Sequence, residues 1–356
     1  MNKGIAAIVA ASLAAATLAG CSPEPAPTAG GGGEGVYKIA LSNSYLGNDW
    51  RQLMIKTAEV VATKEPFASK VELTVVNSEN TPEAQAASVD ALVAQGYDAI
   101  IINPSSPTAL APVVKRALDS GIVVVSFDSV VDGEGIYTVQ TDLTAMATGW
   151  ANYLVAKVGK GAKIAVDTGL PGNTAGNTLY ETAMAIFAEN DMDVVAEFAG
   201  EYADGVGQEQ LGSVLAAHQD LDGVYSQVYG ETIAAAFKDA GRELVPATSF
   251  NTNAGMLAAL NNNMDLLISN NAAGLGAIAM DVALKVLEGE EVPTATLVTP
   301  GFFAVDNSVD VGFPVVKIEE GVNAFPELPG ALAWPVLPSD FEPQVTIEEI
   351  SDYQIK

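Results

Sequence analysis

The stretch DAIIINPSSPTALAPVVKRALDSGIVVVSFDS, residues 98–129, decides the fold. Two nearly unbroken apolar runs, AIIIN and IVVVSF, flank a segment with helical spacing at 108–119. A strand with one wet face alternates apolar and polar residues. A strand apolar throughout is covered on both faces, which requires a parallel sheet between helices. Repeated strand–helix units of this length build a doubly wound α/β fold.

The same rhythm runs outward in both directions. Strands are expected at 37–42, 71–77, 99–103, 123–128, 163–168, 194–198, 223–227, 247–250 and 266–269. Helices are expected at 50–63, 83–95, 108–119, 142–158, 177–190, 207–218, 231–240, 253–261 and 274–288. Thr81-Pro82-Glu83 is a helix start, with an N-cap threonine before proline at the first helical position. Gly96, Gly121, Gly241 and Gly289 sit where a helix closes with a left-handed residue. The units fall into two halves that meet near residue 141, and 356 residues exceed what one core accommodates, so two α/β lobes are expected.

The N-terminus has a different character. Met1 to Lys3 is a short basic start, and an Ala/Ile/Val/Leu-rich run ends in Leu18-Ala19-Gly20-Cys21. A charged start, an apolar middle and small residues before a cut point describe an export signal. Leu-Ala-Gly-Cys resembles the bacterial lipobox, which implies that Cys21 is the lipid anchor of the mature chain. Cys21 is the only cysteine, so no internal disulfide forms. Residues 22–35, SPEPAPTAGGGGEG, hold little that packs and read as a flexible tether. No later stretch is long and apolar enough to be a membrane helix.

The net charge of −28 repels nucleic acid and anionic membrane surfaces, so nucleic acid is not expected as a partner and contact with the membrane is expected only through the lipid anchor. The acidic residues are spread along the sequence and read as a solvated surface. Catalysis is not expected, and no catalytic residue, metal site or cofactor is assigned. His218 is the only histidine and sits at a helix end, no second histidine completes a metal site, and no Gly-x-Ser-x-Gly elbow occurs.

In an open parallel sheet, ligands bind beyond the carboxyl ends of the strands. Those ends carry Ser42-Asn43-Ser44, Asn103, Asp128, Asp167-Thr168, Gln227, Phe250-Asn251 and Asn270-Asn271, with Trp50 and Tyr202 nearby. Carboxamides, hydroxyls and a carboxylate pair with the hydroxyls of a polyhydroxylated ligand, while flat rings cover its C–H faces. Ser, Asn and Asp also cap helices and close turns, which is the other reading of each one singly.

At KIALSNSYLGNDWRQLM, DAIIINPSSPTAL, GIVVVSFDS and LAAHQDLDGVYSQ the sequence resembles the ribose/galactose-type periplasmic binding proteins, over roughly residues 37–307. These are the sugar-capturing subunits of bacterial ABC transporters. The resemblance implies two doubly wound parallel-sheet lobes joined by a three-segment hinge, with crossings near 141, 270 and 300. It divides the chain into a signal peptide (1–20), lipidated Cys21 with its linker (21–35), an N-terminal lobe (36–141 plus 271–299), a C-terminal lobe (142–270 plus 300–313) and an extension (314–356). It implies ligand contacts at Ser44, Asn48, Trp50, Arg51, Asp128, Asn177, Tyr202, Gln227, Phe250, Asn251 and Asn270. Trp50 and Tyr202 take stacking positions, and Asp128 accepts two sugar hydroxyls. It further implies a monomer that closes on a monosaccharide-like ligand and docks on an ABC permease. A sensor that presents its closed form to a chemoreceptor or histidine kinase is the alternative.

The departures bear on the ligand. Ser129 stands where the family commonly has arginine, Val228-Tyr229 where it has Asn-Asp, and Asn251 where it has aspartate. Arg51 either meets a ligand acid bidentately or is held by Asp49 at the rim. The FPELPGALAWPVLPSDFEP segment of the extension is too rich in proline for regular structure, and is expected to pack across the lobes or the hinge with Trp334 as anchor.

Overall fold

A computed structural model describes residues 35–47, 49–131, 133–171, 174–328 and 332–355. The first lobe opens with β1 (Tyr37–Asn43), α1 (Asp49–Ala62), α2 (Phe67–Lys70), β2 (Val71–Asn77) and α3 (Pro82–Gln95). It continues through β3 (Ala99–Asn103), α4 (Ala111–Asp119), β4 (Val123–Phe127) and β5 (Tyr137–Thr141). The second lobe runs through α5 (Leu143–Val158), β6 (Lys163–Asp167), α6 (Thr174–Glu189), β7 (Asp193–Phe198) and α7 (Asp204–Ala217). It goes on with β8 (Gly223–Tyr225), α8 (Gly230–Asp239), β9 (Ala247–Phe250), α9 (Asn253–Asn262) and β10 (Leu266–Asn270). The chain then returns to the first lobe with α10 (Leu275–Leu287) and β11 (Ala295–Val298), and to the second with β12 (Gly301–Ala304) and β13 (Val315–Lys317). It ends in α11 (Ile347–Asp352).

The first sheet has the order β11-β5-β4-β3-β1-β2 and is parallel throughout. The second has the order β13-β12-β10-β9-β8-β6-β7, and only β12 runs against its neighbour β10. The apolar runs behave as their composition requires: every residue of AIIIN in β3 is buried. One face of the first sheet is covered by α1 and α10 and the other by α3 and α4. The second sheet is covered likewise, by α5 and α6 on one face and by α7, α8 and α9 on the other.

Local chemistry sets the helix ends. The Thr81 side chain accepts the Ala84 N–H before Pro82, and Gly96 closes α3 in the left-handed region with φ 70°. Asp142 accepts the Ala145 N–H at 2.9 Å and starts α5 at the point where the chain leaves the first sheet. The chain changes sheets at 141–142, at 270–271 and between Val298 and Gly301, and these three crossings form the hinge. β5, β11, β12 and β13 are not among the strands expected from the sequence. They are short and pair with distant segments, and β5, β11 and β13 are also partly exposed.

The extension is built into both lobes. β13 joins the second sheet, and Ile318 and Ala324 enter a second-lobe core. Ala333, Val336, Leu337, Val345 and Ile350 then complete the first-lobe core. α11 starts with a capping box: Thr346 and Glu349 each accept the other's backbone N–H. Among the described residues no helix is long and apolar enough to cross a membrane. Cys21 and its lipobox lie outside the described residues.

Candidate functional site

The carboxyl ends of the two sheets flank the three crossings, and the polar residues there form two clusters. The first-lobe cluster centres on Asp128, just past β4 and in the left-handed region at φ 65°. Its carboxylate receives hydrogen bonds from the side chains of Asn103 and Asn271 and from the Ser129 backbone. Burial pushes the Asp128 carboxyl above the usual carboxylate range, and the nearby Arg51 guanidinium and these hydrogen bonds oppose that rise.

Arg51 donates to Asn43 Oδ1 at 2.7 Å, and its guanidinium lies 4.6 Å from the centre of the Tyr45 ring. It is therefore positioned by Asn43 and Tyr45, and the side chain of Asp49 is outside the described set. Asn43 also donates to Asn77 Oδ1 at 2.7 Å, which ties the ends of β1 and β2 together. Gln85 of α3 is a positioning residue with no strand-end address. Fully buried, it donates to Ser42 Oγ and to the Asn103 carbonyl, and accepts the Ser105 N–H. A glutamine at helical spacing from Val89 and Leu92, on the face that those residues bury, is the signal that marks it. Asn103 Oδ1 is buried and accepts no hydrogen bond from the described protein.

Trp50 is half-buried at the edge of the first-lobe core and donates its indole N–H to the Asn271 carbonyl at 3.0 Å. Asn271 Oδ1 accepts from Thr141, so the first two crossings are bonded side chain to side chain. Ser44 is buried, and its carbonyl accepts the Asn80 N–H at 2.9 Å. Asn48 lies outside the described residues.

The second-lobe cluster is organised by Asp167 at the end of β6. Its carboxylate is fully buried and accepts the backbone N–H groups of Gly169, Gly200 and Gln227 at 2.8, 2.9 and 2.9 Å. Burial raises its pKa, and the three N–H groups hold it down. Gln227 is a brace in this cluster: its amide donates to the carbonyls of Asp167 and Gly176, and its Oε1 accepts from the Tyr202 hydroxyl at 3.2 Å. Gly169 is required here on two counts, because its φ is +74° and a Cβ would lie 2.7 Å from Gln227 Oε1.

Tyr202 meets Phe250 edge to face with centroids 5.9 Å apart, and Phe250 meets Trp150 in the same way at 5.1 Å. Burial pushes the Tyr202 hydroxyl up to about 12, so it stays a neutral donor at physiological pH. Tyr202, Gln227 and Phe250 are thus brought together, whereas Asn177 is exposed on α6.

Asn251 and Asn270 point to a different partner from the one the resemblance implies. The Asn251 amide donates to the Trp334 carbonyl at 3.1 Å, and that of Asn270 to the Pro335 carbonyl. Each amide thus donates a hydrogen bond to the C-terminal extension, and each Oδ1 is buried without a donor among the described residues. The side chain that reaches Asp128 at the second crossing is that of Asn271.

Two sheets, three crossings, and polar and aromatic clusters at their carboxyl ends are the geometry of a two-lobed clamp. Residues 39–291 match the family described as "Periplasmic binding protein domain". The chain belongs to this family. Its members bind solutes rather than transform them, so the protein is a binding protein and not an enzyme. The ribose import binding protein of Bacillus subtilis (strain 168) is 26% identical over 299 residues, spanning 82% of this chain and 95% of its own length. An ABC transporter solute binding protein from Thermobispora bispora is 30% identical with a TM-score of 0.60, covering 74% of this chain and 84% of that one. A periplasmic ribose ABC transporter structure from Conexibacter woesei has a TM-score of 0.69 at 22% identity, covering 77% of this chain and 94% of that one, and shares the fold. The family match ends at residue 291, before the third crossing and the extension.

Proposed function

We propose that this periplasmic binding protein captures a neutral monosaccharide or a closely related polyol and delivers it to an ABC importer. One observation carries the reading. Asp128, supported by Asn103, Asn271 and Arg51, stands at the carboxyl edge of one sheet, and the Tyr202–Phe250 ring pair stands at that of the other. A carboxylate held by side-chain amides accepts vicinal hydroxyls, and aromatic rings cover the C–H face of a pyranose or furanose. Asn103 Oδ1 offers a further acceptor to a hydroxyl donor. The ribose import binding protein and the D-ribose/D-allose-binding protein of Pseudomonas aeruginosa, 26% identical, are relatives whose names carry such ligands.

The proposed ligand set is Ser44, Asn48, Trp50, Arg51 and Asp128 on the first lobe, with Tyr202, Gln227, Phe250 and Asn177 on the second. Asn251 and Asn270 contribute through the hinge. The lobes are 36–141 plus 271–299 and 142–270 plus 300–313. Binding proceeds by rotation about the crossings, with ligand contacts favouring the closed form. The chain is exported, cut before Cys21 and anchored there by lipid, and it works as a monomer. Sensing is a second reading, since a fructose-binding periplasmic domain of a hybrid two-component system has the same fold, with a TM-score of 0.62.

The test is a thermal-shift screen of the protein against pentoses, hexoses, polyols, sugar acids and amino acids. A ligand at about a hundred times its dissociation constant adds roughly 2.7 kcal/mol, which raises the melting temperature visibly. A neutral sugar hit supports the reading. Hits confined to acids would transfer the leading role to Arg51, and silence across the panel would sink the sugar assignment.

A further inference from the structure

The extension makes a fourth link between the lobes, and its hydrogen bonds change sides within two residues. Upstream it is held by the second lobe: Phe325 N–H donates to Asn253 Oδ1 at 2.8 Å, and the Asn253 amide returns a bond to the Phe325 carbonyl at 2.9 Å. The carbonyls of Trp334 and Pro335 are held by Asn251 and Asn270, also second-lobe residues. The next carbonyl, of Val336, accepts the N–H of Gly274 at 2.7 Å, at the start of first-lobe helix α10. Beyond it, Leu337, Val345 and Ile350 are buried in the first-lobe core, and Lys64 of α1 binds the Gln344 carbonyl and Glu349. Ala333, Val336 and Leu337 are buried in the first-lobe core while the Trp334 and Pro335 carbonyls are held by the second lobe, so a rotation of one lobe against the other must be absorbed within this segment.

Gly274 is cut to fit this segment. Its φ of −70° and ψ of −1° suit any residue, so the backbone does not call for glycine. A Cβ there would lie 2.2 Å from the Val336 carbonyl oxygen and 2.4 Å from Leu337 Cδ2. Glycine is needed at this point because the extension crosses it. On its other side the segment is not backed by packed core. A cavity of about 800 Å³ separates it from the third crossing, with Leu297, Val316 and Val322 at its exposed rim. Packed interiors do not deform continuously, whereas a segment beside a cavity has room to shift.

We propose that residues 332–337 are a strap across the hinge that limits how far the clamp opens, with Gly274, Asn251 and Asn270 as the positioning residues that seat it. The proposal rests on the clamp reading above, in which the lobes rotate about the crossings. It makes the opening angle a property of the extension as well as of the three crossings. The strap also explains why Asn251 and Asn270 are carboxamides: each must donate to a carbonyl, which a carboxylate cannot do.

The experiment measures the distance between lobes in the full chain without ligand. Spin labels are attached at Ser120 and Glu189, both exposed and on opposite lobes, through a keto-bearing non-natural residue that leaves Cys21 untouched. Gly274→Ala is expected to broaden the distance distribution and shift it toward longer separations, while circular dichroism stays native. Asn251→Ala combined with Asn270→Ala removes two anchors without adding bulk, is expected to do the same, and carries the test where Gly274→Ala does not fold. Distributions that superimpose on the wild type in a folded variant overturn the strap. A wild-type distribution that no sugar of the panel moves overturns the clamp reading instead, and the two failures are told apart by which sample is silent.

Discussion

Asp128→Asn is the substitution that best separates the proposed ligand role from a structural one. Asparagine keeps the shape and, like aspartate, tolerates the left-handed backbone at φ 65°. Alanine there would add roughly 1 kcal/mol of backbone strain and blur the result. The native carboxyl has its pKa raised by burial, against the opposing pull of Arg51, Asn271, Asn103 and Ser129. The sign follows. Below the pKa of the unfolded chain the group is protonated in both states and costs nothing. As pH rises through the higher folded pKa, the folded protein holds a half-buried charge that the unfolded chain carries freely in water. Stability therefore falls over that window and stays lower at neutral pH. The asparagine variant escapes this loss, so its melting temperature at pH 7 is expected to equal or exceed that of the wild type, with the difference closing on acidification.

Binding should move the other way. Hydrogen bonds to a charged acceptor contribute about 1.5–3 kcal/mol each and neutral ones roughly half as much. If Asp128 accepts two ligand hydroxyls, the variant loses about 1.5–3 kcal/mol of binding, a rise in Kd of roughly 10- to 150-fold. Calorimetric titration with the best sugar of the panel, beside scanning calorimetry from pH 3 to pH 7, reads both quantities. Unchanged affinity refutes the hydroxyl-acceptor role. A melting temperature that falls in step with affinity refutes the argument that the half-buried charge burdens the fold.

The other expectations follow from single contacts. Asp167→Ala leaves the N–H groups of Gly169, Gly200 and Gln227 without their acceptor, at about 1–3 kcal/mol each. Denaturant unfolding should show a loss of at least about 3 kcal/mol, and a loss under about 1 kcal/mol would mean that water replaces the carboxylate. Leu337→Ala empties a site that is 3% exposed in the first-lobe core, and should cost about 2–5 kcal/mol in the same assay. A near-neutral result would show that the extension is dispensable to that core. Tyr202→Phe removes the bond to Gln227 but keeps the ring against Phe250, so titration should find affinity within about fivefold of wild type, whereas Tyr202→Ala loses the ring contact as well. Equal losses in the two variants would assign the role to the hydroxyl.

The alternation of the two sheets was legible because short β-rich runs recur between helix-length segments, and the apolar AIIIN has few alternatives. VELTVVN, AIIIN and ATSF fold over the residues expected of them, Val71–Asn77, Ala99–Asn103 and Ala247–Phe250. β5 and β11 were not legible, because YTVQT and ATLV become strands by pairing with each other across more than 150 residues. The strand-end rule drew attention to Asn103, Asp128, Asp167 and Asn271, since it depends only on where a strand stops. It could not assign partners. Whether Asn270 faces a ligand or a carbonyl is decided by Pro335, 65 residues away, in a segment without periodicity. Arg51 was ambiguous for the same reason. Its orientation comes from Asn43 at the end of β1 and from Tyr45, and no local pattern encodes that pairing.

These partner choices leave the site's charge on one side. With Ser129 after Asp128 and the amides of Asn251 and Asn270 held by the extension, the charged groups of the proposed ligand set are Asp128 and Arg51, both on the first lobe. The second-lobe cluster presents a neutral phenol, a phenyl ring and a glutamine, because the carboxylate of Asp167 is fully engaged by backbone N–H groups. In the proposed reading the two lobes contribute different terms. The first gives directional polar bonds, which hold a ligand in the open and the closed clamp alike. The second gives apolar contact area, which a ligand gains only on closure. A net charge of −28 further disfavours the approach of an anion through solvent. A neutral molecule with hydroxyls on one edge and a C–H face on the other satisfies both halves. An acid would satisfy only Arg51, against the field of the whole chain.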